Sequence, residues 1–273
     1  MRKEIKLLVF KSAFSFLKRL YVQRSLIWTL SVRALQARYA GTFAGMIWTV
    51  INPLVTILVY WFVFSVGFHV KPLGGVPFIV VFLCGFIPWT LFGETLMINA
   101  NAITSNANLV KKTVFPTEIL PVVNLVASFA THAVMILVLV GLLILNGIPL
   151  SFSTFQFLYY FAGLSLFSLG LSWIFSALNV FYKDVAPMIG VILNVWFWMT
   201  PITWMLDMLP LRWQFIIKLN PVYYLVEGYR SSFIYHSPHG HLAGIYFWTI
   251  CSVTVVLGAL IFKKLKPEFA DVL

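Results

Sequence analysis

Few residues in this 273-residue chain could do chemistry in the ordinary sense. Eight are acidic, and none of these falls near the middle of a long apolar run. Ion-coupled transport usually needs a midplane carboxylate, and membrane glycan-processing enzymes need acidic residues for acid–base or metal work, so both classes lose ground. A phosphate-cradling loop of the form GxxxxGKS or GxxxxGKT is absent, so any ATP must be hydrolysed by another chain. HExxH, the GxSxG elbow and clusters of His with carboxylates are absent too. Cys84 and Cys251 each sit inside an apolar run without CxxC or Cys/His spacing, which indicates neither a metal site nor a disulfide. His132, beside Thr131 and Asn124, is the ionisable group most deeply placed in apolar sequence. Such a His is a functional candidate, although a hydrogen bond to a neighbouring helix accounts for it more readily. Glu94 and Glu118 fall toward span ends, where pairing with Lys or Arg, or capping, is the expected role.

Aromatic residues make up 17% of the chain, an excess that does point somewhere. Tyr60, Trp61, Phe62 and Phe64 lie in one apolar run, and Trp196, Phe197 and Trp198 lie in another just before Thr200-Pro201. Sugar rings pack their C–H faces on aromatic rings, so such clusters could line a path for glycans. Composition alone fits an interfacial aromatic belt equally well.

The elements that would position these residues are membrane helices. Hydrophobic residues are 61% and charged residues 10% of the chain, far from the make-up of soluble domains. At about 20 apolar residues per crossing, six spans are expected near 45–68, 77–98, 118–146, 154–181, 186–205 and 242–262. The fold class is therefore all-α integral membrane, with an N-terminal interface helix and re-entrant helices between the fifth and sixth spans. The expected division is 1–44 as cytoplasmic N-terminus and interface helix, 45–262 as the six-span domain with a re-entrant region about 206–241, and 263–273 as a cytoplasmic tail. Pro210 and Pro221 break the 206–241 stretch, and Asn220-Pro221 has the chemistry of a helix start. Ser168, Ser172 and Ser176 at i+4 steps, with Gly163 and Gly170, allow a neighbouring helix to approach closely. The Met1-Arg-Lys-Glu-Ile-Lys start has no signal-peptide pattern, so no cleaved leader is expected.

The net charge of +11 suggests anionic lipid and cytoplasmic partners rather than nucleic acid, because basic residues crowd the first forty positions and the last ten. Nine Lys/Arg precede residue 45; Lys111, Lys112, Lys183 and three C-terminal lysines fall on the same predicted side, against Lys71, Arg212, Lys218 and Arg230 on the other. The positive-inside rule then puts both termini in the cytoplasm of an inner-membrane protein. Before the first span, Trp28, Val32, Leu35 and Tyr39 form a stripe at i, i+4, i+7 and i+11, which predicts an amphipathic helix along the interface, as anchor or as docking element.

Several stretches together resemble the membrane subunit of the ABC exporters that move lipid-linked polysaccharides such as O-antigen, capsule or teichoic acid chains. These are RYAGTFAGMIWTVINPL (38–54), KKTVFPTEILPVVNL (111–125), NVFYKDV (179–185) with WFWMTPI (196–202), and LNPVYYLVEGYRSS (219–232). FPTEILP and NPVYYLVE look closer to the O-antigen branch. The resemblance implies a homodimer of such subunits with two cytoplasmic ABC ATPase subunits, which bind ATP and Mg; this chain would bind no cofactor itself. It implies a channel at the dimer interface lined by Tyr60, Trp61, Phe64, Trp196, Phe197 and Trp198. Arg38 and Tyr39 would meet the lipid phosphate at the entrance, where a guanidinium fork matches phosphate oxygens. Asn106, Lys111, Lys112, Phe115 and Glu118 would couple to the ATPase. Two other classes remain: an integral membrane enzyme acting on lipid-linked sugar, which would need essential acids, and an assembly factor or small-molecule exporter subunit, which would not need Trp196 and Trp198.

Overall fold

Inside a bilayer every backbone N–H and C=O must find a partner within the protein, which leaves helices as the economical solution for a chain of this composition. The computed structural model describes residues 21–70, 72, 75–112, 115–237 and 240–273, so residues 1–20 of the expected N-terminal segment, Lys71 and Thr113–Val114 lie outside the described residues. Among the described residues the fold is helical, without strands. In chain order the helices are α1 (Arg24–Arg38), α2 (Trp48–Trp61, continued by a π-turn Phe62–Gly67), α3 (Phe78–Ala100), α4 (Ala107–Lys112), α5 (Leu120–Leu145) and α6 (Phe157–Phe181). There follow α7 (Val185–Met199), α8 (Leu211–Lys218), α9 (Pro221–Arg230, continued by a π-turn Ser231–Tyr235), α10 (His241–Leu265) and α11 (Phe269–Val272).

Among the described residues, five helical segments, Gly45–Gly67, Phe78–Ala100, Thr117–Leu145, Phe152–Phe181 and His241–Val272, are long and apolar enough to cross a membrane. The expected fifth span, 186–205, is helical only to Met199 and has 15 residues, about 22 Å at 1.5 Å per residue. Pro201 explains the early end. It lacks an N–H and pushes Thr200 out of the helical region, where Thr200 takes φ −100° and ψ 131°.

The most uniformly apolar surface takes the centre. α3 is buried on nearly all sides and packs on α5, α6, α7 and α9, whereas α2 is largely exposed at the periphery. α6 uses two faces. Its glycines meet α10 so closely that a Cβ at Gly258 would lie 2.3 Å from the Gly170 carbonyl oxygen, while Ser172 turns to α3 and accepts a hydrogen bond from Asn99 Nδ2 at 3.0 Å.

One expectation is filled in and one is corrected. α1 packs on the bundle by a face beside the expected stripe: Trp28 is exposed, while Ile27 and Ser31 are buried and, with Leu30 and Ala34, pack on Phe115, Ile119 and Val123 at the start of α5. Apolar residues surround this helix, so one side can serve the bundle and the next can serve lipid. Arg230, placed by sequence among the outer loop charges, is instead 1% exposed within the bundle. It therefore drops out of the charge count, which becomes more lopsided. The chain end is also packed: Phe269 is buried against Phe181 and Phe262, and α11 rests on α4.

Candidate functional site

At the end of the bundle where α1, α4 and α11 gather, a chain of polar side chains joins four helices. The last turn of α1 presents Arg38, whose guanidinium pairs with Glu94 on α3 and donates to Ser128 Oγ at 3.0 Å and the Asn124 carbonyl at 3.3 Å on α5. Ser128 Oγ also donates to Glu94 Oε1 at 3.0 Å. One turn nearer this end, Asn124 Nδ2 donates to Asn99 Oδ1 at 3.0 Å, and Asn99 reaches both the Pro121 carbonyl and Ser172 on α6. Asn101 and Asn179 extend the set to the first turn of α7 through the Ala186 amide. Unpartnered polar groups are costly between packed helices, so these pairings hold the helix ends together. Sequence reasoning named Arg38 and Glu94 separately but missed Asn99 and Ser128; the signal was there in the i+4 spacing of Asn124 and Ser128 on one helical face. Removing Arg38 and Glu94 singly and together, as Arg38→Gln and Glu94→Gln, is expected to give a coupling of about 0.5–3 kcal/mol in thermal unfolding of the detergent-solubilised protein.

At the opposite end, α8 and α9 form a hairpin turning at Asn220. Asn220 caps α9 by accepting from the Val222 amide, accepts from Trp196 Nε1 at 2.9 Å and donates to Thr200 Oγ1 at 2.9 Å. Arg230 Nη2 donates to the Ile202 carbonyl at 3.3 Å, its Nε to the Val81 carbonyl at 3.4 Å, and its Nη1 to Glu227 at 2.7 Å. Where Pro201 broke α7, these two side chains supply partners to the non-helical backbone and its neighbours. Tyr229 joins His132 Nε2 at 3.1 Å, which gives the deep histidine a link between α5 and α9. α8, by contrast, has no buried residue.

The six aromatic residues expected along a path divide. Tyr60 and Phe64 lie on one face of α2, with Tyr60 4.6 Å from Phe82 and 5.2 Å from Phe86. Trp196 meets Phe92 edge-on at 5.2 Å and Phe197 meets Trp89 at 5.6 Å, so both are tied to α3. Trp61 and Trp198 are exposed. Three consecutive helical residues point about 100° apart, so 196–198 present different faces. Tyr39 is half-buried just beyond α1.

Of the residues expected to couple to a motor, Lys111 is exposed on α4, and Lys112 closes that helix with its side chain outside the described residues. Asn106 donates to the Ala102 carbonyl, Phe115 packs beside Ile27 and Ile119, and Glu118 pairs with Lys266 at the end of α10. The pairings of Glu94 and Glu118 are those their positions suggested.

Comparison with known proteins adds to this geometry. The sequence profile of the family described as ABC-2 type transporter matches residues 25–234. An O-antigen export system permease protein RfbA of Klebsiella pneumoniae is 31% identical over 250 residues, covering 91% of this chain and 95% of the relative. A protein of the same name from Myxococcus xanthus is 28% identical over 260 residues, covering 93% and 97%.

Proposed function

Because the chain belongs to the ABC-2 type transporter family, we propose that it is the membrane subunit of an ATP-driven exporter that moves lipid-linked polysaccharide, O-antigen in particular, across the inner membrane. The observation that carries the reading is the convergence of α1, α4 and α11 at one end of the bundle, where Arg38–Glu94 ties α1 to α3, the buried Phe269 ties α11 to α6 and α10, and α4 rests on α11. A motor docked there would move spans rather than loops.

In this reading both termini are cytoplasmic and two copies of the chain join two ABC ATPase subunits, which hold ATP and Mg; the chain itself catalyses no reaction. The fifth crossing consists of α7 and the bent segment Thr200–Trp204, and α8 and α9 form a re-entrant hairpin at the outer end. Closure of the ATPases presses on α4 and α1. Through the Arg38–Glu94–Ser128 cluster the push reaches α3 and α5, and a rearrangement of α2 and α7, which both pack on α3, opens the passage. Exposed apolar surface on α2 and α7, including Trp61 and Trp198, supports these helices as the ones that meet a second copy. The glycan would slide along aromatic faces while the apolar carrier tail stays in lipid.

The test is reconstitution with the partner ATPase in proteoliposomes. Lipid-linked O-antigen is expected to stimulate ATP hydrolysis, and Trp61→Ala with Trp198→Ala to lower glycan export severalfold while the complex still assembles. Failure of every lipid-linked glycan to stimulate hydrolysis would remove the polysaccharide assignment.

A further inference from the structure

Beside the Arg38–Glu94 pair lies an open cleft of about 260 Å³ between α2, α3 and α5, lined among others by Asn52, Thr56, Phe86, Thr90, Glu94 and Thr131. Its lining differs from that of the rest of the bundle. Each of the three helices contributes one threonine, and the walls also carry a carboxylate, a carboxamide and an aromatic ring. The hydroxyls of Thr56 and Thr90 spend their protons on the Asn52 and Phe86 carbonyls, at 2.9 and 2.8 Å, so each offers lone pairs outward. Both bonds to Glu94 fall on Oε1, leaving Oε2 as an acceptor. Asn52 adds a donor and an acceptor.

We propose that this cleft is a sugar-binding subsite that takes one ring of the cargo glycan on its way from the cytoplasmic side, a reading that rests on the exporter assignment. The chemistry selects against the alternatives. An acyl chain would desolvate Glu94 and the threonines without giving them partners. A phosphate would meet the Glu94 carboxylate, while the nearby guanidinium is already engaged with Glu94, Ser128 and the Asn124 carbonyl. A neutral polyhydroxyl ring can donate to Thr56, Thr90 and Glu94, accept from Asn52 and lay a C–H face on Phe86. The volume falls just below the roughly 300–1,000 Å³ of drug-sized sites, as a single ring requires. Glu94 thereby joins the subsite to the cluster that holds α1, so an occupied cleft is sensed where the motor pushes.

The experiment uses the complete complex with its ATPase in proteoliposomes. Hydrolysis is followed against the concentration of lipid-linked glycan extracted from an export-blocked strain, and in parallel against sugar-free polyprenyl phosphate. Thr90→Val and Thr56→Val each keep the side-chain shape and remove one hydroxyl. Each is expected to raise the glycan concentration for half-maximal stimulation about fivefold, the equivalent of one ordinary hydrogen bond, with the shift falling on half-saturation rather than on the saturated rate. Thr131→Val, on the third helix of the site, is expected to act in the same direction. Thermal unfolding midpoints equal to wild type exclude misfolding as the source. A wild type that responds to glycan alongside variants with unchanged half-saturation would overturn the subsite and spare the exporter reading. The same shift with sugar-free carrier would overturn the sugar assignment in favour of the head group. No response of the wild type to any lipid-linked glycan would remove both.

Discussion

Arg230→Ala is expected to lower the stability of the folded chain by about 3–5 kcal/mol, the range for breaking a buried ion pair from one side. Three losses coincide. Glu227 keeps its charge in a site where only 18% of its side chain is exposed, the Ile202 carbonyl beyond Pro201 loses a donor, and α9 loses its bond to α3 at Val81. Arg230→Lys should recover part of this, since an ammonium can still neutralise Glu227 but cannot present the planar fork that reaches both carbonyls. Arg230→Met combined with Glu227→Gln should be milder than Arg230→Ala alone, because no unpaired charge remains. Thermal unfolding of the detergent-solubilised protein and the yield of folded material measure all three. Equal midpoints for Arg230→Ala and wild type would mean that the hairpin is not fastened by this residue.

Gly258→Val is the second large effect. A Cβ there meets a backbone atom, the Gly170 carbonyl oxygen at 2.3 Å, which cannot rotate away, so α6 and α10 must separate along their contact. Overpacking of this kind costs about 1–3 kcal/mol and occasionally more, and in a membrane the close approach of helices is itself the source of their association. Gly141→Ala serves as the contrast: nothing lies within 4 Å of the added methyl on α5, so the change should stabilise by about 0.5–1 kcal/mol. A Gly258→Val protein that melts with wild type would show that this helix pair yields more easily than its backbone contact implies.

Local chemistry was readable from the chain before any coordinates. Long apolar runs announced the spans, Asn220-Pro221 announced a capped helix, and the small residues of α6 announced a close neighbour; each depends on residues within a turn or two of one another. What escaped was set by partners far away in sequence. Arg230 looks like a loop charge because Val81 and Ile202, which accept its hydrogen bonds, are 149 and 28 residues distant. The buried side of α1 is chosen by Ile119 and Val123, not by its own pattern, in which apolar residues occur all round. Thr56, Thr90 and Thr131 each read as a minor polar residue in an apolar helix, and only packing brings the three together. The match to transporter permeases was legible through short motifs; the Arg38–Glu94–Ser128 cluster beneath it was not, since Arg38 lies in one motif and Glu94 and Ser128 lie in none.

The packed chain end bears on how the protein should be handled. The segment Phe269–Val272 rests on α4, with Phe269 locked against Phe181 of α6 and Phe262 of α10. An affinity handle or fluorescent reporter placed just after this segment would emerge near α4, on the very surface a motor is expected to occupy, and would silence the assembly without unfolding it. The exposed turn at Asn146–Gly147, on the far side of the bundle with its glycine at φ +67°, offers an insertion point that leaves that surface clear.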